Sequence, residues 1–268
     1  MVRDVAFRDQ DFQRIRKLIY ERAGIVLAQH KRDMVYGRVG RRVRELGMRR
    51  FEDYLRHLEA HPGAEEWQAF TNSLTTNLTA FFREAHHFPL LGAHVATRPS
   101  PIRIWSAAAS TGQEPYSIAM QLVETLGAGA SFQVVGTDID TGALAVARRG
   151  IYPIKQIETL DEARRKRFFQ RGSGSRAGSV RIRPELAATV QWRHTNLVGG
   201  PWDVPGPFDA IFCRNVMIYF DVATQARILA RFTAYLKPGG LLFAGHSESF
   251  SHITDRYRLR GQTVYALA

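Results

Sequence analysis

The run Ile102–Tyr116, IRIWSAAASTGQEPY, followed by Phe132–Asp140, FQVVGTDID, constrains the fold more than any other part of this chain. An apolar run leads into a loop of small residues, and Pro115 marks a helix start. A second apolar run then ends on a carboxylate, Asp138. Strand, small-residue turn, helix and acid-terminated strand make half of a nucleotide-binding α/β unit. Small side chains let backbone approach a ligand, and the acid can accept both ribose hydroxyls. Gly112 is the only glycine in the turn, so the dinucleotide fingerprint is not met, and no lysine follows as in a phosphate-cradling loop. A nucleoside without a pyrophosphate, such as S-adenosylmethionine (AdoMet), fits better. The competing reading is an α/β turn with no ligand.

The 268 residues suffice for one large domain or two modest ones. No apolar run approaches the roughly 20 residues that span a bilayer, and the N-terminus lacks a signal peptide's apolar core. One cysteine excludes an internal disulfide and offers no metal cluster. A soluble, cytoplasmic, monomeric protein without direct membrane insertion is expected. The formal charge of +12 is unevenly spread. Residues 1–60 hold 15 Lys/Arg against 9 Asp/Glu, and residues 148–193 hold 12 against 4, while the remainder is nearly neutral. Two peripheral basic segments suggest an acidic macromolecular partner, the alternative being a solvated basic surface.

Helical spacing of Phe12, Ile15 and Ile19 predicts a first helix that ends at Ala23–Gly24. Val35, Val39, Val43 and Leu46 form the stripe of a second, ending at Gly47. Arg38, Arg41, Arg42 and Arg44 lie off that stripe as a candidate docking face. Phe51, Tyr54, Leu55 and Leu58 mark a third helix, and Trp67, Phe70 and Leu74 a fourth. The expected organisation is a helical domain over 1–78, a linker over 79–101 and an α/β domain over 102–268. In the last, IRIW, FQVVGTD, FDAIFC and LLFAGH alternate with helical segments, which predicts a parallel sheet, and YRLRGQTVYALA adds an antiparallel return. Residues 153–193 break the alternation with a basic helix and a Gly/Ser turn between short β-like runs.

TTNLTAFFREAHHF (Thr75–Phe88), WSAAASTGQEPYSIA, GTDIDTGAL, FDAIFCRNVMIYFD (Phe208–Asp221) and LLFAGHSESF with RGQTVYAL resemble the CheR-type chemotaxis receptor methyltransferases. The likeness runs nearly end to end. It implies a class I AdoMet-dependent methyltransferase domain with a mixed seven-stranded sheet, an inserted β-subdomain at about 153–193, and a small N-terminal helical domain. It also implies transfer of a methyl group to glutamate carboxylates of chemoreceptors. Gln113 departs from the family's usual Glu, while the neighbouring Glu114 is retained.

A glutamate is already ionised at neutral pH, with a pKa of about 4.3, so transfer needs positioning groups rather than a general base. Asp138 is placed for the ribose, and Glu114 for the cofactor's ammonium group or ribose, with helix-dipole stabilisation as the plainer role. By resemblance Asn77, Thr79 and Arg83 line the cofactor site from the linker side. Arg83 is also a candidate carboxylate clamp, and Asn196 and Leu197 match positions touching adenine. Arg214, Asn215 and Val216 follow the fourth strand, and Tyr219 matches a residue near the transferring methyl. Asp140 is expected to cap, Phe81 and Phe82 to pack between domains, and Cys213 to sit in the core. His86 and His87 gain no second ligand cluster, and no metal is expected.

A base methyltransferase would need a [DN]-PP-[YF] motif where RNVMIY stands, so nucleic acid is not expected as substrate. Retention of Arg83, Asp138, Asn215 and Tyr219 argues against a non-catalytic AdoMet-binding module. The expected partners are glutamate-rich receptor helices. A receptor C-terminal peptide is a further candidate, held at the insertion by Arg171, Gly172 and Gly174.

Overall fold

The computed structural model describes residues 5–268, so residues 1–4 of the expected helical domain lie outside the described residues. Helix α1 (Asp9–Ala23) buries Phe12, Ile15 and Ile19 and stops at Gly24, whose φ of 70° places it in the left-handed region. A Cβ at Gly24 would also sit 2.6 Å from Val198 Cγ2, so glycine alone lets the chain turn so close to the α/β part. Helices α2 (Arg32–Glu45), α3 (Phe51–Ala60) and α4 (Glu66–Leu74) complete the bundle. Val35, Val39 and Val43 are fully buried, but α2 ends at Glu45 and Leu46 leaves the stripe for solvent.

Helix α5 (His87–Val95) belongs to the α/β core, with Leu91 and Val95 fully buried there. Gly92 makes this approach possible, since a Cβ would lie 2.9 Å from Thr125 Oγ1. The chain continues through β1 (Ile102–Ser106), α6 (Gln113–Leu126), β2 (Phe132–Asp138), α7 (Thr141–Arg149) and β3 (Ile151–Pro153). Then come α8 (Glu162–Phe168), β4 (Phe169–Arg171), β5 (Ser179–Ile182), α9 (Pro184–Ala187) and β6 (Val190–His194). Strand β7 (Phe208–Cys213), α10 (Val222–Phe232), β8 (Leu236–Ala244), β9 (Tyr257–Gly261) and β10 (Val264–Leu267) close the fold.

The main sheet has seven strands in the order β6-β2-β1-β7-β8-β10-β9, parallel from β6 to β8, with β10 antiparallel to both its neighbours. The expected mixed seven-stranded α/β sheet is therefore present. Strands β3, β5 and β4 form a separate antiparallel sheet with β5 in the middle. The insertion ends earlier than the sequence suggested. Residues Val190–His194 pair in parallel with Val134–Asp138 of the main sheet, where the Trp192 ring lies over Gly136. Phe81 and Phe82 are also placed differently from expectation. Both are buried in the α/β core, Phe81 edge-on to Tyr152 and Phe169, and Phe82 against Phe88.

Strands β1, β2 and β7 end on one edge of the sheet, the location where an open parallel sheet leaves a crevice for ligands. The helical bundle is fastened across that edge by a short polar seam. Asp140 caps α7 by accepting from Ala143 N, and accepts from Thr75 Oγ1 at 2.6 Å and Asn77 Nδ2 at 2.7 Å. Gln68 Nε2 donates to the Ile139 carbonyl beside it. Asp140 thus acts as the expected cap and also as a clasp between the two parts.

Candidate active site

The pocket at this edge takes one wall from each part of the molecule. Ala23, Ile25 and Leu74 come from the helical bundle, Thr75–Ala80 and Arg83 from the connecting segment, and the strand ends supply the rest. All ten residues expected around the cofactor are in this lining: Asn77, Thr79, Arg83, Glu114, Asp138, Asn196, Leu197, Arg214, Asn215 and Val216. Tyr219 joins them, carried on a short turn of 3-10 helix.

Asp138 is held by the loop that follows β1. Its Oδ2 accepts from Ser110 N at 2.7 Å and its Oδ1 from Asp140 N at 2.8 Å. Burial raises its pKa to about 6, against those backbone bonds. One further lone pair on each oxygen suits a pair of vicinal hydroxyls. Ala107, Ala108 and Ser110 are the small residues that open the loop toward the pocket. Gly112 serves another end: its φ is 99°, and a Cβ would meet Ala147 and Tyr152 at 2.8 Å. Gln113 is buried and donates to Gln156 Oε1, away from the pocket lining, so the departure from the family's Glu leaves the site intact.

Two carboxylates and one guanidinium form the polar floor. Arg214 is buried, donating to Glu114 Oε2 at 3.2 Å and to the Arg83 carbonyl, with Glu84 Oε2 at 3.3 Å. Glu114 also accepts from Ser106 Oγ at 2.8 Å, and burial pushes its pKa up against the pull of Arg214. Glu84 is held down at about 2. Burial opposes that, but bonds from His246 and Asn215 together with the Arg214 charge outweigh it. Arg83 donates to the Leu78 carbonyl at 2.8 Å, which leaves other N–H groups of its fork for a carboxylate.

Asn196 is more committed than the sequence implied. Its amide donates to the Arg22 carbonyl and accepts from Val198 N, so it chiefly fastens the α1 end to the site. Sequence reasoning missed Glu248. This buried acid accepts four backbone N–H groups: Gly245 and Asn215 on Oε2, Val216 and Met217 on Oε1, at 2.6–2.9 Å. It holds the turn after β7, in which Asn215 has a left-handed φ of 57°. The signal was present in HSES, where attention goes to the serines rather than the acid between them.

Glu84, His86 and His87 bring three potential ligand atoms within 4.8 Å, a grouping the sequence did not suggest. Glu84 is already bonded to His246 and Asn215 beside Arg214, and burial lowers His87 to about 4, keeping it neutral.

The docking face on α2 is partly spent within the fold. Arg38 donates to the Thr75 carbonyl, and Arg42 binds Glu66 and Glu45, while Arg41 is exposed. In the insertion, Arg171 is exposed at the end of the edge strand β4, and Gly174 has a φ of 57°. Gly172 is required by its own turn. A Cβ there would lie 2.2 Å from the Arg176 carbonyl, so it does not mark an opening for a peptide.

A mixed sheet whose second strand ends on the buried acid Asp138, with Glu114 at the start of α6 and Tyr219 in the same pocket lining, has the arrangement of an AdoMet-dependent α/β methyltransferase. Residues 10–75 match "CheR methyltransferase, all-alpha domain" and residues 77–266 match "CheR methyltransferase, SAM binding domain". The chain is 59% identical over 269 residues to a chemotaxis protein methyltransferase of Escherichia coli K12, covering all of this chain and 94% of the relative. It is 52% identical to chemotaxis protein methyltransferase 2 of Pseudomonas aeruginosa PAO1, covering 97% and 93%. The chain belongs to the CheR methyltransferase family, and its cofactor is AdoMet. No helix among the described residues is long and apolar enough to cross a membrane.

If Asp138 grips the ribose, Asp138→Ala should weaken S-adenosylhomocysteine binding by roughly 1.5–3 kcal/mol, the worth of hydrogen bonds to a charged acceptor. Calorimetric titration reads this directly. Unchanged affinity in a folded variant would move the ribose contact elsewhere.

Proposed function

We propose that the protein transfers the methyl group of AdoMet to glutamate side chains of chemoreceptors, giving methyl esters. The observation that carries this reading is that Asp138, Glu114, Arg83 and Tyr219 line one pocket, placed to hold the cofactor and position an acceptor. An ionised carboxylate acceptor needs no general base. The cofactor supplies an electrophilic methyl on a sulfonium. Asp138 holds the ribose, and Arg83 and Glu114 orient the charged ends of the methionine moiety. Leu197 and Val216 give apolar contact, and Thr79 and Asn77 close the linker side. Tyr219, in the same lining, is the group that orients the incoming carboxylate or contacts the sulfonium through its ring. The two halves of the molecule exclude water and hold the reactants in line.

The test is incubation with methyl-labelled AdoMet and a receptor cytoplasmic fragment. Base-labile label on the receptor is expected, whereas label on nucleic acid would overturn the assignment. Glutamate-rich helices also explain the basic α2. Reversing the exposed Arg41, which spares the bonds made by Arg38 and Arg42, should raise the receptor KM several-fold at low salt and flatten its salt dependence. Exposed charges are screened over a Debye length of roughly 8–10 Å. Wild-type kinetics at low salt would remove α2 from the interface.

The same reading makes the protein a cytoplasmic monomer recruited to receptor arrays. The edge of β4 is a candidate holder for a receptor C-terminal peptide, added as a strand beside Arg171. Because Gly172 is needed by the turn, Arg171→Glu is the informative variant. It should weaken binding of such a peptide in calorimetry. Absence of peptide binding by the unmodified protein would leave the insertion structural.

A further inference from the structure

Among the described residues nine large apolar side chains are exposed, and they are not scattered evenly. Tyr20, Val26, Ile218 and Val222 lie within three residues of pocket-lining residues. Leu78 lines the pocket itself yet is 77% exposed, so the cavity meets solvent beside it. Val26 follows the lining residue Ile25, and its N–H donates to the Tyr219 carbonyl at 2.8 Å. Ile218 precedes Tyr219 and is 54% exposed, and Val222 opens α10 at 59%. Tyr20 donates to Asp221 Oδ2 between them at 2.7 Å. Exposed apolar side chains are ordinary when single, but gathered around a site they mark an interaction surface.

We propose that Val26, Leu78, Ile218 and Val222 form an apolar collar that receives one face of the substrate helix around the glutamate being methylated. The proposal rests on the function given above and names the surface by which that same pocket meets its protein substrate. The geometry of a helix motivates it. A glutamate reaching into the pocket brings residues three and four positions away against the rim. A rim of valine, leucine and isoleucine matches small or apolar residues there, not further charge. Arg38 Nη1 donates to the Thr75 carbonyl, three residues before Leu78, so the basic helix α2 is tied to the segment that carries the rim. An occupant with an acidic flank and an apolar stripe fits both, and this commits the site to an amphipathic helix of the receptor. The collar then helps decide which glutamates are accepted, by the residues that surround them.

The experiment uses the full chain, a receptor cytoplasmic fragment and S-adenosylhomocysteine. Ile218→Ser with Val222→Ser removes two exposed side chains outside the pocket lining. The receptor KM should rise about tenfold, equivalent to about 1.4 kcal/mol, with kcat and S-adenosylhomocysteine affinity unchanged. Ile218→Leu should retain the wild-type KM, because it keeps the apolar contact. An unchanged KM in the double variant overturns the collar. A fall in kcat or cofactor affinity without a rise in KM also overturns it, since that would mean the serines had disturbed the Tyr219 turn. Failure of the unmodified protein to label the receptor would instead count against the function itself, so the two failures are separable.

Discussion

Replacing Arg214 with methionine is expected to abolish methyl transfer and to destabilise the fold by about 3–5 kcal/mol, the usual loss when one partner of a buried ion pair is removed. Arg214 lies between Glu114 at 3.2 Å and Glu84 at 3.3 Å, with its side chain 1% exposed. Without it two carboxylates share a poorly solvated floor. Burial already pushes the Glu114 pKa up, and removing the cation lets it rise further. The sign of the pH dependence follows. An acid with a raised pKa in the folded state is penalised only when ionised, so the penalty is full above that pKa. It disappears as pH falls toward the unfolded value of about 4.3. Denaturant melts of Arg214→Met should therefore show a smaller deficit at pH 5 than at pH 7. Arg214→Lys keeps the charge but not the planar fork, and should fall between. A methionine variant as stable as the parent at pH 7 would show that the two acids do not depend on this residue.

What could be read from the sequence, and what could not, divides by distance along the chain. Asp138 was legible because the strand that carries it and the turn it closes are contiguous, and both follow from local periodicity. The stripes of α1 to α4 were legible for the same reason. The face opposite a stripe was not, since periodicity shows which way Arg38 and Arg42 point but not that Thr75 and Glu66 come to meet them. Strand β6 was misassigned because TVQWRH carries the same short β-like pattern whether it pairs within the insertion or with β2. The second role of Asp140 depends on Thr75 and Asn77, more than 60 residues away. The collar likewise joins positions from three separated segments, each unremarkable when read alone.

Glu248 is a further case of partners brought together by the fold, and its variants carry the second large expected effect. The turn after β7 must reverse the chain at the pocket floor, and four of the N–H groups around it find no strand or helix partner. One carboxylate takes all four. Gly245 completes the arrangement, because a Cβ there would lie 2.5 Å from Asn215 Nδ2 and 2.9 Å from Glu248 Oε2. Glu248→Gln retains one acceptor oxygen but turns an NH2 group toward two N–H donors. With charge-assisted bonds worth about 1.5–3 kcal/mol each and partial recovery by water, a loss of about 2–4 kcal/mol is expected. Such a loss lowers the midpoint of thermal unfolding by roughly 5–15 °C in a chain of this size. Catalysis should suffer beyond stability, since Asn215, Val216 and Tyr219 ride on this turn. At a temperature where the variant is fully folded, kcat should fall at least tenfold while cofactor binding, anchored mainly at Asp138, weakens less. Glu248→Asp, one methylene too short to span both pairs of donors, should not restore kcat. Full activity in a folded Glu248→Gln protein would mean that the turn is held by its own backbone and that the acid is dispensable.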